Sequence, residues 1–205
     1  MHLKPLYLII GLLWLTSFTQ KKEVLTTVKT VKGNKHPICF FIAFNYDSLL
    51  VNDEKEIDFV KRTKDERNAK KPGKGDRWEE NWYRDKKEVY EKTFIDGVYA
   101  KLSPKAAVKN DKSICVYTME VMPLFMMDGY FKTSTALKTL IVQINVRDSS
   151  GTIVLQHTAN PIPTYLDGVN TPALDPGVKI SDSYFLCGKE AAKKVNKLID
   201  EAIIK

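Results

Sequence analysis

Hydrophobic positions divide the chain into runs of different period. Residues 6–15 (LYLIIGLLWL) are ten uncharged positions in a row, and residues 37–46 (PICFFIAFNY) form a second apolar and aromatic run. The second has the length and composition of a buried central strand. Residues 53–70 open with Asp53-Glu54-Lys55-Glu56, an acidic start with capping-box spacing, and continue in charged helix formers. Their apolar face is only Ile57, Phe59 and Val60, which predicts a surface helix. Pro72, Gly73 and Gly75 stop it, and Asp76 with Glu79 offers a second cap. Beyond that, Tyr90, Phe94, Val98 and Leu102 recur every four residues. This stripe predicts a longer amphipathic helix over residues 77–102, ended by Ser103-Pro104.

The second half reads mainly as sheet. Residues 112–124 (KSICVYTMEVMPL) are a strand candidate, followed by a turn signal at 126–129. Leu140, Val142, Ile144 and Val146 alternate with intervening residues that include Gln143 and Asn145, the period of a half-buried strand. Asp148-Ser149-Ser150-Gly151 turns the chain, so residues 152–159 return antiparallel as a hairpin. Residues 160–179 hold four of the nine prolines and predict a long loop. Tyr184, Cys187, Ala191, Val195, Leu198 and Ala202 then step by three or four residues, with Lys193, Lys194, Lys197 and Glu201 on other faces. That is a helix packed on a sheet. The order predicts an α+β two-layer sandwich, with a mostly antiparallel sheet of about four strands and helices packed on one face.

The first apolar run changes the compartment. It follows a short basic start and is followed by Thr16-Ser17-Phe18-Thr19-Gln20, with small residues at −3 and −1 of a cut before Gln20. A span needs ~20 apolar residues, so a secretory signal over residues 1–20 fits better than an anchor. Residues 21–36 then read as a polar tether and residues 37–205 as a single domain, exported to the periplasm or beyond, with no transmembrane segment once the signal is removed. Cys39, Cys115 and Cys187 all have apolar neighbours. One disulfide with one thiol left over and three buried thiols both fit.

The net charge is +7, but residues 53–92 carry 13 basic and 12 acidic side chains, a mixture that coats solvated helices. Only residues 61–74, with seven basic against two acidic, show a local excess. A nucleic-acid footprint needs unopposed cations along one face, so no nucleic-acid partner is expected.

The stretch KKPGKGDRWEENW (residues 70–82) invites three readings. A phosphate-binding loop fails, because Gly73-Lys74-Gly75 is followed by Asp76-Arg77 and preceded by a charged helix rather than a strand. Trp78 and Trp82, four apart on one helical face, either anchor the charged segment or form a binding platform. Exposed aromatics and arginines dominate interface hot spots, so Trp78, Trp82, Tyr83, Arg77 and Arg84 are the candidate binding residues. Outside the signal the histidines are His36 and His157, and no Gly-x-Ser-x-Gly occurs. His36-x-x-Cys39 is half a zinc site without its second half, and Asp167 and Asp175 lack the calcium-loop pattern. No catalytic residue, cofactor or metal site is expected.

Three stretches carry a resemblance: GKGDRWEENWYRDKKEVYEKTF, DGYFKTSTALKTLIVQINVRDSSGTIVLQ and ISDSYFLCGKEAAKKVNKLI. Together they resemble small exported proteins of Bacteroidota in which a strand, a helix, a three-strand meander and a C-terminal helix recur. The arrangement is similar to periplasmic domains of envelope-assembly factors, such as the curli secretion-channel protein and lipopolysaccharide-assembly lipoproteins. The chain departs from the lipoproteins in lacking a lipid-acceptor cysteine near the cut. The resemblance implies no catalytic residues. The expectation is a non-enzymatic binding or adaptor protein of the periplasm or cell envelope, with an envelope protein as partner. The alternative is an envelope hydrolase or carbohydrate-binding protein with a cleft under the loop 160–179.

Overall fold

A computed structural model describes residues 37–127, 140–161 and 176–204. The expected signal (1–20), the tether (21–36) and most of the loop 160–179 lie outside the described residues. The first apolar run of the domain becomes β1 (Ile38–Phe44), a central strand with parallel neighbours on both sides. β2 (Leu50–Val51) and β3 (Glu54–Lys55) follow as a minute hairpin. Its two-residue loop is Asn52-Asp53, with φ of 52° and 67°. Positive φ at both central positions is what a tight hairpin turn demands, and Asn and Asp tolerate it. Asp53 is therefore a turn residue and not the helix cap its spacing suggested. The helix α1 (Glu56–Lys70) starts behind Lys55, which makes no side-chain cap bond.

α2 (Lys74–Asp85), a π-helical segment (Lys86–Glu91) and α3 (Lys92–Tyr99) run on without a break, as the four-residue stripe predicted. β4 (Ala106–Val108) returns parallel to β1, and a single 3₁₀ turn (Lys112–Ile114) leads into β5 (Tyr117–Met126). β6 (Leu140–Arg147) and β7 (Ile153–Ala159) form the expected antiparallel hairpin, and α4 (Pro176–Ile204) closes the fold. Pro123 sits where the β5–β6 register shifts, the one kind of place inside a sheet that tolerates a residue without an N–H.

The sheet has seven strands and is mixed, which corrects the expected four-stranded, mostly antiparallel sheet. The reason lies in the connection. β1 and β5 are separated by the whole run of helices, so the chain crosses over and comes back parallel. Strands of two or three residues such as β2, β3 and β4 are too short to show a period. Alternation revealed β6, and the turn at 148–151 its antiparallel return as β7.

Register sorts the two faces. Phe44, Val121, Ile144 and His157 lie side by side across β1, β5, β6 and β7. One step along are Ile42, Met119, Val146 and Leu155. This face is covered by α3, whose Phe94 meets Phe44 edge-on (centroids 5.5 Å apart), and by α4, which packs on β6 and β7 and stacks Tyr184 on Tyr90 of the π-helical segment (5.3 Å). Tyr184, Cys187, Ala191 and Val195 are fully buried beneath it, as their spacing predicted. The two helices touch backbone to backbone. A Cβ on Gly97 would press into the Phe185 carbonyl oxygen, and one on Gly188 into that of Phe94. Alanine at Gly188 has no flexible neighbour to displace and must separate the helices. Gly188→Ala is expected to cost about 2–3 kcal/mol and lower the Tm by roughly 5–10 °C. A thermal melt of the variant against exposed Lys193→Ala checks this, and equal Tm values would deny the close crossing.

Candidate functional site

The sequence-nominated binding residues sit on α2, and a helix turns about 100° per residue. That geometry splits them. Trp78 and Trp82 point at α1, where both rings meet Phe59 at 6.0 and 5.4 Å between centroids. Trp82 is only 7 % exposed and its indole N–H donates to Glu56 Oε1 at 2.7 Å. Trp78 is half-buried, with the Arg67 guanidinium 5.1 Å above its ring. Arg77 and Arg84, seven apart, share one flank, and Arg84 pairs with Asp85 at 3.1 Å. Tyr83, 43 % exposed, lies on the other flank. The tryptophans therefore anchor the α1–α2 hairpin, and the five residues do not make one platform.

Beneath Trp82 lies a polar cluster. Lys86 donates to Glu56 Oε1 at 2.7 Å, with side-chain exposures of 10 % and 13 %. Its ammonium also stands over the rings of Tyr46 (4.4 Å) and Tyr83 (4.9 Å). Tyr46 neighbours Tyr184, and burial pushes both phenols above their ordinary range. Lys86 opens the π-helical segment, where one wider turn sets its side chain under the hairpin. The cluster ties the hairpin to the domain, and the hydroxyls of Tyr46 and Tyr184 are buried in it without a hydrogen-bond partner.

The opposite face of the sheet is different. Ala43, Glu120, Asn145 and Gln156 line up across it, with Phe41, Thr118 and Arg147 in the next row. Gln156 and Thr158 are exposed there. Glu120 takes both Nε and Nη2 of Arg147, at 3.2 and 3.1 Å, and the Asn145 amide at 3.3 Å. Between this pair and the 3₁₀ turn lies an open cleft of about 460 Å³, walled by Ala43, Cys115, Val116 and Thr118, with Lys112 and Asp148 among the polar residues that line it. The Ser150 hydroxyl, with backbone N–H groups, holds the Asp148 carboxyl below the usual carboxylate range. Ile114 (61 % exposed) and Val116 (54 %) flank Cys115. Sequence reasoning missed the cleft, because its walls come from β1, β5 and the β6–β7 turn and meet only through the β1–β5 and β5–β6 pairings.

Cys115 is disulfide-bonded to Cys39 across the starts of β1 and β5, 76 residues apart. That consumes the thiol of the His36-x-x-Cys39 half-site. Cys187 is the free thiol among the described residues; burial, helped by Glu190, pushes it well above its ordinary range, so it is inert. His157 Nε2 and Glu190 Oε1 lie 2.7 Å apart and join β7 to α4. Asp167 and Asp175 lie outside the described residues. Among the described residues no group of three ligating side chains could hold a metal, and no helix is long and apolar enough to cross a membrane.

The Glu56–Lys86 pair makes a stability prediction. Glu56→Ala strands a buried ammonium and an indole N–H, and is expected to cost about 3–5 kcal/mol. The double variant Glu56→Leu, Lys86→Met should recover most of that loss. Denaturant titration of the three proteins checks it, and a double variant as unstable as Glu56→Ala would contradict the buried pair. Comparison with protein-family models, curated proteins and solved structures returns no match to this chain.

Proposed function

We propose that the protein is an exported, non-enzymatic binding or adaptor protein of the periplasm or cell envelope, and that it binds its partner at the cleft beside Cys115. The observation that carries this reading is the asymmetry of the sheet: one face is covered by α3 and α4, while the other keeps an open cleft lined by exposed Val116, with exposed Ile114 two residues before it. A catalytic site gains from excluding water, whereas a shallow cleft with an apolar rim suits a segment of another macromolecule. The Cys39–Cys115 bridge supports an oxidising compartment, consistent with the signal-like first twenty residues and with the resemblance to periplasmic envelope-assembly domains.

One observation favours the alternative envelope hydrolase or carbohydrate-binding reading: His157 converges with Glu190 at 2.7 Å on the strand that runs toward the loop 160–179. The pair also serves as a helix-to-sheet tie, and the nearest cysteine on α4, Cys187, is buried and protonated. The adaptor reading needs no such chemistry.

Photo-crosslinking in the native cell tests the proposal. A benzophenone side chain at Val116 is expected to give one defined adduct, absent when the same group replaces Ile57, which is 72 % exposed but far from the cleft in sequence and on another element. Adducts that are equally diffuse at both positions, or none at Val116, would refute it.

A further inference from the structure

The stretch that failed as a phosphate-binding loop has a different electrostatic character in three dimensions. Lys71, Pro72 and Gly73 form the turn between α1 and α2, with Gly73 at φ +76°. Lys70, Lys71, Lys74 and Arg77 are all exposed around it. Among the described residues, none of the four forms an ion pair, whereas the acids next to them are held by other cations. Lys64 holds Asp76 at 3.2 Å and Glu79 at 2.7 Å, and Arg62 holds Glu66 at 3.0 Å. Of the unpaired acids, Asp65 stands five residues back from Lys70, about 8 Å at the helical rise, and Glu80 lies one turn beyond Arg77. The hairpin thus ends in a tip where four unpaired cations surround one exposed acid, Asp76, whose carboxylate Lys64 holds.

The tip is also stiff and free. A Cβ at Gly75 would meet the Lys64 carbonyl oxygen, so the two helices are pressed together there, and the Gly75 N–H donates to Asn68 Oδ1 at 2.7 Å. The main contacts of α1 and α2 outside each other are with β2, β3 and the π-helical segment, all at the base of the hairpin. Four cations are therefore held at the far end of a rigid arm.

We infer that this tip docks the protein on an anionic lipid surface, through Lys70, Lys71, Lys74 and Arg77 against phosphate headgroups. The shape of the patch selects the partner. It is a single turn wide, too small to track a nucleic-acid backbone, and the tryptophans that could stack bases are turned inward. No apolar side chain other than Pro72 stands at the turn, so attachment is electrostatic and reversible. Basic residues near an anionic leaflet each contribute about fivefold in affinity, so four together amount to several hundredfold.

The test is sedimentation of the full chain with vesicles of phosphatidylcholine alone or mixed with phosphatidylglycerol. The ratio of the two affinities is the readout, which cancels any contribution of the apolar residues 6–15. The expected result is a strong preference for the anionic vesicles that fades with salt. It should be lost in Lys70→Gln, Lys71→Gln, Lys74→Gln, Arg77→Gln but kept when Lys87, Lys101, Lys109 and Lys193 are changed to Gln instead. The four tip side chains lack partners, so a thermal melt should match the parent and exclude misfolding. Equal losses in the two quadruple variants would mean that net charge alone is responsible, and overturn the inference. So would the absence of any anionic preference, displacement by inorganic phosphate beyond that of chloride at equal ionic strength, or tighter binding of a single-stranded oligonucleotide.

Discussion

The parallel pairing of β1 with β5 is the constraint on which the remaining structure depends. Parallel neighbours cannot be joined by a tight turn, so everything between them, both helices of the hairpin, the π-helical segment, α3 and β4, is crossover. Closing so long a connection is entropically unfavourable, and the Cys39–Cys115 bond fixes it where the pairing begins. On the chain-entropy account a bridge over a loop of this length contributes about 4 kcal/mol, a large share of the stability of a domain this size. With β1 and β5 fixed, β4 can add on one side of β1 and the β6–β7 hairpin on the far edge of β5.

The same pairing decides the inequality of the two faces. Phe40, Met119 and Val121 are brought to the side where α3 and α4 cross at Gly97 and Gly188 and bury them. Glu120, Asn145 and Arg147 are brought to the other, where they satisfy one another beside the cleft. A sheet with polar groups paired in this way can stay open to solvent without exposing a large apolar surface. The α1–α2 hairpin is an appendage to this core, tied to it by the buried Glu56–Lys86 pair and the Trp82 indole.

Much of this was legible where a period is long enough to read. The stripe Tyr184 to Leu198 gave the buried side of α4, and alternation from Leu140 gave β6 and its hairpin with β7. Asp53 misled because Asp serves both helix caps and positive-φ turns, and only the pairing of Leu50 with Lys55 shows which applies. The disulfide partners were open for a related reason: all three cysteines have apolar neighbours, and what separates them is register. Cys39 and Cys115 meet at the starts of adjacent strands, while Cys187 falls in the helical stripe. The candidate residues Arg77, Trp78, Trp82, Tyr83 and Arg84 were legible as a helix but not as a surface. Which flank of α2 meets α1 is fixed by Phe59, a residue of another element.

The Cys39–Cys115 bridge closes the parallel core beside the open cleft, and the proposed oxidising compartment requires that it form in the cell. The most direct measurement is the thiol state of the protein taken from its native cells, alkylated at once under denaturing conditions and mapped by peptide mass spectrometry. Cys39 is expected joined to Cys115, and Cys187 alkylated as a free thiol. Three alkylated cysteines, or a bridge that includes Cys187, would contradict it.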